Sequence, residues 1–327
     1  MTILVTGSAG RVGWAVVSAL LAEGATVRGF DLRSTGRQEE RYSEVVGTFD
    51  DAGKCAQAMA GGIDAVLHLG AFMSWKAEDR DRLFVANVDG TRRLAEVAVS
   101  ASVERFVFAS SGEVYPENAP DSLPVVEDHP LRANSTYGLT KLLGEEIVRF
   151  HGRTSAMETV ILRFSHTQDA TELLDPDSFF SGPRFFLRPR IRQQEGFGND
   201  KVAAILRAAD PGRDAHVLAR NENGRPFRMH ITDTRDMLAG ILLALRHPDA
   251  AGQSFNLGAT EPVDFPSLLQ EMAKITGLPV VTVDLPGAGV WYETSNEKIR
   301  KTLGFEPQWT INRMLEDAAT AWRKKTA

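Results

Sequence analysis

Residues 3–13 read ILVTGSAGRVG, a short apolar run followed by three glycines spaced three residues apart. Glycine permits a sharp turn, a close approach of the backbone to a ligand and close packing of a helix on a strand. A helical pattern follows from Val12 to Ala22, and the N-terminus of such a helix offers unpaired N–H groups and a positive dipole end to phosphates. The stretch therefore predicts a strand, a phosphate-binding turn and a helix, which together open a dinucleotide-binding α/β fold.

The next predicted strand, Thr26–Phe30, ends at an acidic residue, Asp31. A carboxylate at this position accepts hydrogen bonds from the ribose hydroxyls of adenosine and repels a 2′-phosphate. The sequence thus indicates NAD rather than NADP, although Arg33 two residues later weakens the exclusion of NADP. The alternative interpretation of Asp31 is an aspartate in a surface turn.

Short apolar runs alternate with helical patterns through the first half of the chain, which is typical of parallel βαβ construction. Because the runs are continuous rather than alternating, their strands should be buried on both faces. Further strands are predicted at Ala65–Leu69, Phe106–Ala109 and Ile161–Phe164, and the two longest helices at Leu83–Val99 and Leu139–Phe150. The predicted fold class is α/β with a doubly wound parallel sheet, the Rossmann fold.

The pattern changes after residue 165. Residues 165–200 are rich in proline and glycine and show weak periodicity, which predicts loops and short elements. Beyond them the sequence predicts four helices and two short strands: Val202–Ala209, Asp236–Arg246, Phe265–Thr276 and Ile311–Arg323, then Ser254–Leu257 and Val280–Val283. We therefore expect a dinucleotide-binding domain over residues 1–165, extended by parts of residues 200–258. Residues 166–327 should form mostly a smaller, mixed and discontinuous substrate-binding lobe.

Composition and charge narrow the choice of partners. The chain has 327 residues, a net charge of −6 and a pI near 5.7, whereas nucleic-acid binding needs a concentrated basic surface. No stretch approaches the roughly 20 apolar residues of a membrane span, and no signal peptide is expected. The single cysteine, Cys55, has no metal-ligand spacing around it. We expect a cytoplasmic protein that acts on a small molecule without a bound metal.

Two further patterns carry chemistry. Tyr137 and Lys141 are four residues apart on a predicted helix and so share a face, where the ammonium group would lower the pKa of the phenol. Ser110 and Ser111 leave the end of a predicted parallel strand, where ligands of open α/β sheets bind. Each pattern has an ordinary alternative, a solvated helix face for the first and a turn-forming serine for the second.

These patterns occur together with others in a fixed order: Gly7/Gly10/Gly13, Asp31, His68-Leu69-Gly70-Ala71, Asn87-Val88-Asp89-Gly90-Thr91, Ser110-Ser111 with Val114-Tyr115, and Tyr137 with Lys141. In this order and spacing the chain resembles the extended short-chain dehydrogenase/reductases, and most of all their nucleotide-sugar epimerase branch. The resemblance is tight over residues 1–165 and looser beyond them.

The resemblance implies a role for each matching residue. Tyr137 would be the general base or acid on a sugar hydroxyl, Lys141 would hold the nicotinamide ribose and tune Tyr137, and Ser111 would bind the reacting oxygen. The implied contacts of an NAD cofactor are Gly7, Gly10, Arg11, Val12, Gly13, Asp31, Phe49, Leu69, Gly70, Ala71, Asn87, Tyr137, Lys141 and Phe164. The implied substrate contacts are Ser111, Glu113, His166, Arg188 and Arg225.

Three departures from the family pattern concern the substrate. Ser165-His166-Thr167-Gln168 stands where nucleotide-sugar enzymes carry asparagine and a Tyr-Gly-Pro turn, which weighs against a nucleotide on the substrate. Gly112-Glu113 replaces the Asp-Glu pair of sugar dehydratases, so dehydration ranks lower. His166 is either a substrate ligand or a packed loop histidine. The arginines at 184, 188, 190 and 192 form either a site for one anionic ligand or a solvated loop.

Several functions stay open on the sequence alone. We expect a sugar epimerase, in which the hydride returns to the substrate, ahead of a sugar or sugar-acid dehydrogenase that releases NADH. A catalytically idle NAD-binding sensor is the alternative from another class, although such proteins usually lose the tyrosine or the lysine. By analogy with the family, Leu83–Val99 and Leu139–Phe150 would pair across a two-fold axis in a homodimer.

Overall fold

The computed structural model describes residues 1–326, and a parallel sheet forms its centre. In chain order the strands are β1 (Thr2–Thr6), β2 (Thr26–Asp31), β3 (Tyr42–Val46), β4 (Ala65–His68), β5 (Arg105–Ser111), β6 (Glu158–Phe164), β7 (His166–Gln168), β8 (His216–Arg220), β9 (Ile231–Asp233), β10 (Ser254–Leu257) and β11 (Val280–Asp284). Seven of them form the central sheet in the order β10-β6-β5-β4-β1-β2-β3, and every pairing in it is parallel.

Helices cover both faces of this sheet. In chain order they are α1 (Arg11–Ala22), α2 (Ala52–Met59), α3 (Arg80–Phe84), α4 (Gly90–Ser100), α5 (Thr136–Thr154), α6 (Ser181–Phe185), α7 (Leu187–Gly196), α8 (Asp200–Ala208), α9 (Thr234–Arg246), α10 (Phe265–Thr276), α11 (Glu297–Leu303) and α12 (Ile311–Thr326). Helices α1 and α9 lie on one face, and α2, α4 and α5 lie on the other.

Alternate residues of each strand feed two separate cores. Ile3 and Val5 pack with Val16 of α1 and Ile241 of α9 on one face. Leu4 between them points to the other face, among the residues that pack under α2, α4 and α5. This burial on both faces explains the continuous apolar runs in the sequence. The predicted doubly wound parallel sheet is confirmed.

The second half of the chain divides between the sheet and a smaller lobe. Strand β10 pairs with β6, and α9 packs on α1, so residues 234–257 return to the sheet. The remaining strands pair outside it, β8 with β11 and β7 with β9. Helix α8 packs on α7 within the smaller lobe rather than on the sheet.

The expectation of loops and short elements over residues 165–200 was wrong for Leu187–Gly196, which forms the ten-residue helix α7. Pro189, the residue that most argued against a helix, is the third residue of α7. Proline is tolerated in a first turn because the N–H groups there have no partner within the helix. The apolar face of α7 consists of Leu187 and Ile191 and is too short to produce a strong periodicity.

The helical run from Arg80 to Ser100 matches the predicted helix Leu83–Val99 with one irregularity. Between α3 and α4 the chain makes a π-helical turn over Val85–Asp89. Such turns often occur at functional sites, because the extra residue redirects a side chain. Here the turn contains the buried Asn87. Within residues 1–326, no helix has the length and apolar character needed to cross a membrane.

Candidate active site

The glycine turn after β1 is packed without spare room. A Cβ on Gly13 would lie 2.0 Å from the carbonyl oxygen of Gly7, and a Cβ on Gly7 would lie 2.7 Å from Cα of Gly70. Gly7 also has a φ of 68°, in the left-handed region that favours glycine. Helix α1 begins at Arg11 directly after this turn. The turn therefore brings the N-terminus of α1, with its unpaired N–H groups, to the carboxyl end of the sheet.

Asp31 lies at the end of β2, beside the same turn. Its carboxylate accepts hydrogen bonds from the backbone N–H of Ala9 at 3.0 Å and from that of Arg33 at 3.1 Å. These contacts fix the side chain at the edge of the cavity, which Asp31, Leu32 and Arg33 line. The carboxylate keeps acceptor capacity for a ligand, since each oxygen has two lone pairs.

A cavity with a volume of about 570 Å³ runs along the carboxyl ends of the strands. It brings together most of the site residues that the sequence predicted: Gly7, Gly10, Arg11, Val12, Gly13, Asp31, Leu69, Gly70, Ala71, Ser111, Glu113, Tyr137, Lys141, Phe164 and His166. The glycine turn and Asp31 lie at one part of its wall. Tyr137, Ser111 and His166 mark another, beside the smaller lobe.

Tyr137 and Lys141 lie in the first turns of α5. The helix begins at Thr136 because the Ser135 hydroxyl accepts a hydrogen bond from the N–H of Gly138, which caps its N-terminus. Lys141 Nζ donates a 2.7 Å hydrogen bond to the carbonyl of Ala109 in β5 and lies 5.9 Å from the centre of the Tyr137 ring. The cap and the strand thus hold both side chains on one helical face toward the cavity.

Burial shifts the acidity of both groups. Burial, and after it the negative charge of Glu113, raises the pKa of Tyr137. Burial lowers the pKa of Lys141 to about 7, while the carboxylate of Glu145 acts in the opposite direction. A phenolate and an ammonium that lie close together each favour the charged form of the other.

Ser111 ends β5 and its hydroxyl accepts a hydrogen bond from the N–H of Glu113 at 3.2 Å. The hydroxyl proton remains available to a ligand in the cavity. The preceding residue, Ser110, points elsewhere and donates to the buried carboxylate of Glu145, which Arg163 also binds through two nitrogens. Glu145 of α5 thus joins the ends of β5 and β6 next to Ser111.

Glu113 is held by side chains from two other segments. Its carboxylate accepts a hydrogen bond from Ser135 at 2.5 Å and a longer one, 3.4 Å, from the indole of Trp75. Burial raises the pKa of Glu113 despite these two donors. Burial and the charge of Glu113 raise the pKa of the neighbouring Glu117 to about 8. Two carboxylates facing one cavity therefore hold at least one proton near neutral pH.

His166 lies on the cavity wall beside Glu117. Its Nδ1 is 3.5 Å from the guanidinium of Arg184, and its Nε2 is 3.9 Å from Glu117 Oε1. Burial, followed by the positive charge of Arg184, lowers the pKa of His166 to about 3. The imidazole is thus neutral near pH 7. It can exchange hydrogen bonds with a substrate but is not itself a cation.

Sequence reasoning missed three side chains of this region, Trp75, Glu117 and Tyr292, which line the cavity. Arg184, which the sequence placed in the arginine cluster, lies against His166. Tyr292 donates to the carbonyl of Gly112, a residue 180 positions away in the chain. Of the three missed residues, Glu117 carried a local signal, because it follows Glu113 by four residues in the segment after β5.

Two predicted cofactor residues support the cavity from behind. Phe49 packs against Gly70, where a Cβ would lie 2.5 Å from Phe49 Cζ, and it contacts the His68 ring edge-on. Asn87 exchanges two hydrogen bonds with the backbone of Phe72 and donates to Thr140 on α5. Both residues therefore position cavity-lining backbone without lining the cavity themselves.

Two predicted substrate residues lie away from the cavity. Arg188 pairs with Asp210 at 3.2 Å and with Asp214 at 3.1 Å on the surface of the smaller lobe. Arg225 lies over the Trp291 ring and donates to the carbonyl of Ala288. Their positive charges are engaged where they are, and the structure does not bring them to Tyr137. Within residues 1–326, no cluster of three or more His, Cys, Asp or Glu side chains is arranged to hold a metal ion.

Comparison with known proteins places this site in a family. The model of the NAD dependent epimerase/dehydratase family matches residues 3–171. A crystal structure of a short-chain dehydrogenase/reductase superfamily protein from Agrobacterium tumefaciens with bound NAD is 68% identical, with a TM-score of 0.97 over 100% of this chain and 98% of that chain. UDP-glucose 4-epimerase of Mycolicibacterium smegmatis is 28% identical over the full length of both chains.

A more distant structure shares the fold. UDP-glucose 4-epimerase of Thermotoga maritima, in a crystal structure with UDP-glucose, is 21% identical and has a TM-score of 0.79 over 100% of both chains. The resemblance that the motifs indicated is confirmed. The chain belongs to the NAD-dependent epimerase/dehydratase family, within the short-chain dehydrogenase/reductase superfamily.

Proposed function

We propose that this protein is an NAD-dependent sugar epimerase that acts by hydride transfer at a hydroxyl-bearing carbon. The observation that carries the proposal is the convergence of Tyr137, Lys141 and Ser111 on a cavity that Asp31 and the glycine turn also line. When bound, NAD supplies a nicotinamide that accepts and returns hydride. The A. tumefaciens relative, crystallised with NAD, supports this choice of cofactor.

The residues of this chain fit such a cofactor. Gly7 and Gly13 let α1 and the segment after β4 pack directly on the turn, since a Cβ on either would strike neighbouring backbone. Such close packing is what a pyrophosphate-binding turn requires. The carboxylate of Asp31 suits ribose hydroxyls and disfavours a 2′-phosphate. Both features lie on the part of the cavity wall away from Tyr137, so the reactive end of the cofactor would face Tyr137 and Ser111.

Tyr137 would remove the proton of the reacting hydroxyl. Its buried phenol is a weak acid by itself, and the ammonium of Lys141 nearby makes the phenolate accessible. Ser111 would donate its free hydroxyl proton to the reacting oxygen and so fix the orientation of the carbon. Holding donor and acceptor at near-attack distance can supply about 7–11 kcal/mol of the barrier reduction.

Two outcomes of the same chemistry need separating. If the keto intermediate stays and takes the hydride back on its other face, the enzyme is an epimerase. If the ketone leaves, it is a sugar or sugar-acid dehydrogenase that releases NADH. The test incubates the purified protein with NAD⁺ and free sugars, sugar acids and nucleotide sugars, and follows nicotinamide absorbance and product stereochemistry together. An inverted product without net NADH supports the epimerase, and stoichiometric NADH overturns it in favour of the dehydrogenase.

An idle NAD-binding sensor would retain the cofactor site without turnover. Tyr137→Phe separates the two classes, because an enzyme loses turnover by about 10²–10⁴-fold and keeps its affinity for NAD. Tyr42→Phe, in β3 and outside the cavity, is the matched control. A Tyr137→Phe variant that retains full turnover of its substrate would overturn the assigned role of Tyr137. A wild-type protein that binds NAD but turns over none of the sugars would favour the sensor.

We further propose a homodimer formed through α4 and α5. Leu139, Leu143 and Phe150 of α5 are 40%, 36% and 53% exposed, respectively. Their spacing places them on one face of the helix, and exposed apolar stripes of this kind mark interfaces. Light scattering after gel filtration should give twice the chain mass for the wild type and one chain mass for Leu143→Glu with Phe150→Glu. Ile205→Glu, an exposed apolar residue of α8, is the control.

A further inference from the structure

Two arginines of the smaller lobe lie behind the substrate end of the cavity. Arg184 belongs to α6 and Arg190 to α7. The NH1 atom of Arg184 and the Nε atom of Arg190 are buried and have no hydrogen-bond partner among residues 1–326. Buried guanidinium groups normally have all or most of their donors paired. Arg190 donates one hydrogen bond to the carbonyl of Pro183 at 3.4 Å and lies over the ring of Phe227. The pair therefore combines two positive charges with one unpaired buried donor on each side chain.

Other arginines of the chain show the contrast. Arg163 is buried and binds the carboxylate of Glu145 through two nitrogens. Arg188 of α7, which lies between Arg184 and Arg190 in the sequence, is bound by Asp210 and Asp214. The negative charge of Glu117 raises the pKa of Arg184, whereas the like charge of Arg190 lowers it.

The protonation states of Arg184, Arg190 and Glu117 also indicate a net positive charge here. Burial and the charge of Arg190 lower the pKa of Arg184 to about 10, and burial lowers that of Arg190 to about 10. Both groups still carry their protons at pH 7. The pKa of Glu117 is raised to about 8, so this acid is mostly neutral there and does not cancel the two charges.

The position of Arg184 connects this charge to the reaction site. Its NH2 atom is 3.5 Å from His166 Nδ1, and it lies over the ring of Phe180. His166, Phe180 and Glu117 line the same cavity as Tyr137 and Ser111. His166 Nε2 is itself buried without a hydrogen-bond partner in the described part of the chain. Unpaired donors and positive charge thus meet where a substrate would extend beyond the reacting carbon.

We propose that the substrate carries an anionic oxygen group, a carboxylate or a phosphate, that binds against His166 and Arg184, with Arg190 supplying a second positive charge. The planar fork of arginine matches both groups through paired N–H donors. A protonated Glu117 donates to the anion rather than repelling it. The substrate is then a sugar acid or a phosphorylated sugar and not a neutral sugar. This inference rests on the proposed function, because it places the sugar ring at Tyr137.

Binding is measured by isothermal titration calorimetry on the full-length Tyr137→Phe variant loaded with NAD⁺, which binds without turnover. The probes are galactose and glucose, galacturonate and glucuronate, and galactose 1-phosphate and UDP-galactose. We expect at least one anionic probe to bind at least tenfold tighter than its neutral counterpart. Adding Arg184→Gln should weaken that probe about 10–100-fold, the range of a hydrogen bond to a charged group, and leave the neutral sugars unchanged.

Matched variants keep this test decisive. Arg188→Gln, four residues further along the chain in α7 and engaged by two surface carboxylates, should leave every affinity unchanged. Arg184→Lys should retain part of the preference for the anion. Uronates and phosphates are separate arms, so the preferred arm identifies the anion. Equal binding of neutral and anionic sugars, or anion binding that Arg184→Gln leaves intact, overturns the subsite.

The failure of the proposed function gives a different result. Turnover of a neutral sugar by the wild type with a KM insensitive to Arg184→Gln removes the subsite and leaves the enzyme assignment. Tight, Arg184-dependent binding of an anionic sugar that the wild type never turns over removes the enzyme assignment and leaves the subsite.

Discussion

The ammonium nitrogen of Lys141 lies 5.9 Å from the centre of the Tyr137 ring and is anchored at 2.7 Å on the carbonyl of Ala109. The anchor joins α5 to β5, so the cation cannot move away from the phenol without losing a buried hydrogen bond. Burial lowers the pKa of Lys141 to about 7 and raises that of Tyr137. Loss of the phenol proton and charging of the lysine favour each other, because the opposite charges attract.

Lys141→Met should therefore change the pH dependence of turnover as well as its rate. Removing the cation raises the pKa of Tyr137, since a nearby positive charge favours the phenolate. We expect the acidic limb of kcat/KM to move to higher pH and the maximum to fall by about 10²-fold or more. The measurement is kcat/KM from pH 6 to pH 10. Lys141→Arg keeps a charge at the site and should move the limb less; an unmoved limb in Lys141→Met would show that Tyr137 is not tuned by this contact.

Asp31→Asn should relax the choice between NAD⁺ and NADP⁺. The amide still accepts the hydrogen bond from Ala9, so the turn is retained, but the negative charge that repels a 2′-phosphate is gone. We expect the ratio of NAD⁺ to NADP⁺ affinity to fall by about tenfold or more, consistent with the strength of a hydrogen bond to a charged group. Titration of both cofactors checks this, with Asp50→Asn, an exposed carboxylate, as the control. An unchanged ratio would place the selection for the cofactor elsewhere.

Gly13→Ala should damage the glycine turn, whereas Gly196→Ala should not. A Cβ on Gly13 lies 2.0 Å from the carbonyl of Gly7, so α1 must move away from β1 and the pyrophosphate position widens. We expect the free energy of unfolding to fall by about 1–3 kcal/mol, the cost of overpacking, and NAD affinity to fall with it. A Cβ on Gly196 meets no atom within 4 Å, and alanine there should be neutral or stabilising. Urea unfolding and NAD titration on both variants separate the two cases.

The predicted features that the structure places at the cavity depend on neighbours along the chain. The glycine turn is a contact between Gly7 and Gly13, and the Tyr137–Lys141 pair is one helical turn, so spacing alone specifies both. The substrate end depends on contacts across the chain, such as Tyr292 with Gly112. Its residues have no common spacing, and no local pattern distinguishes them.

The arginines show the same limit. The sequence offered Arg184 and Arg188 in one local cluster, and Arg188 was named as the substrate contact. The choice between them depends on Asp210 and Asp214, which fold back onto Arg188 and leave Arg184 beside His166. Such pairing is set by the packing of α7 on α8, which charge counting along the chain does not reveal.

His68 should make folding stability depend on pH in the acid range. The ring is buried between the hydroxyls of Thr6 and Thr91, at 2.7 Å and 3.0 Å. Burial, followed by the charge of Lys141, lowers its pKa to about 3. An unfolded histidine titrates near pH 6.5, so between about pH 6.5 and pH 3 the unfolded state binds the extra proton. The contribution of His68 to stability is therefore complete above about pH 6.5 and declines as the pH falls through that window.

The expected slope is about 1.4 kcal/mol per pH unit for this one group between roughly pH 6 and pH 4. His68→Gln, whose amide can still bond to the two threonines, should lower stability at pH 7 through imperfect packing but reduce the slope by about that amount. Urea unfolding at half-unit intervals from pH 7.5 to pH 4.5 measures both effects. His151→Gln, near the end of α5, controls for the loss of one imidazole. Parallel curves for the wild type and His68→Gln would mean that His68 takes up its proton within the folded protein. That result would contradict a neutral ring that is hydrogen-bonded to both threonines.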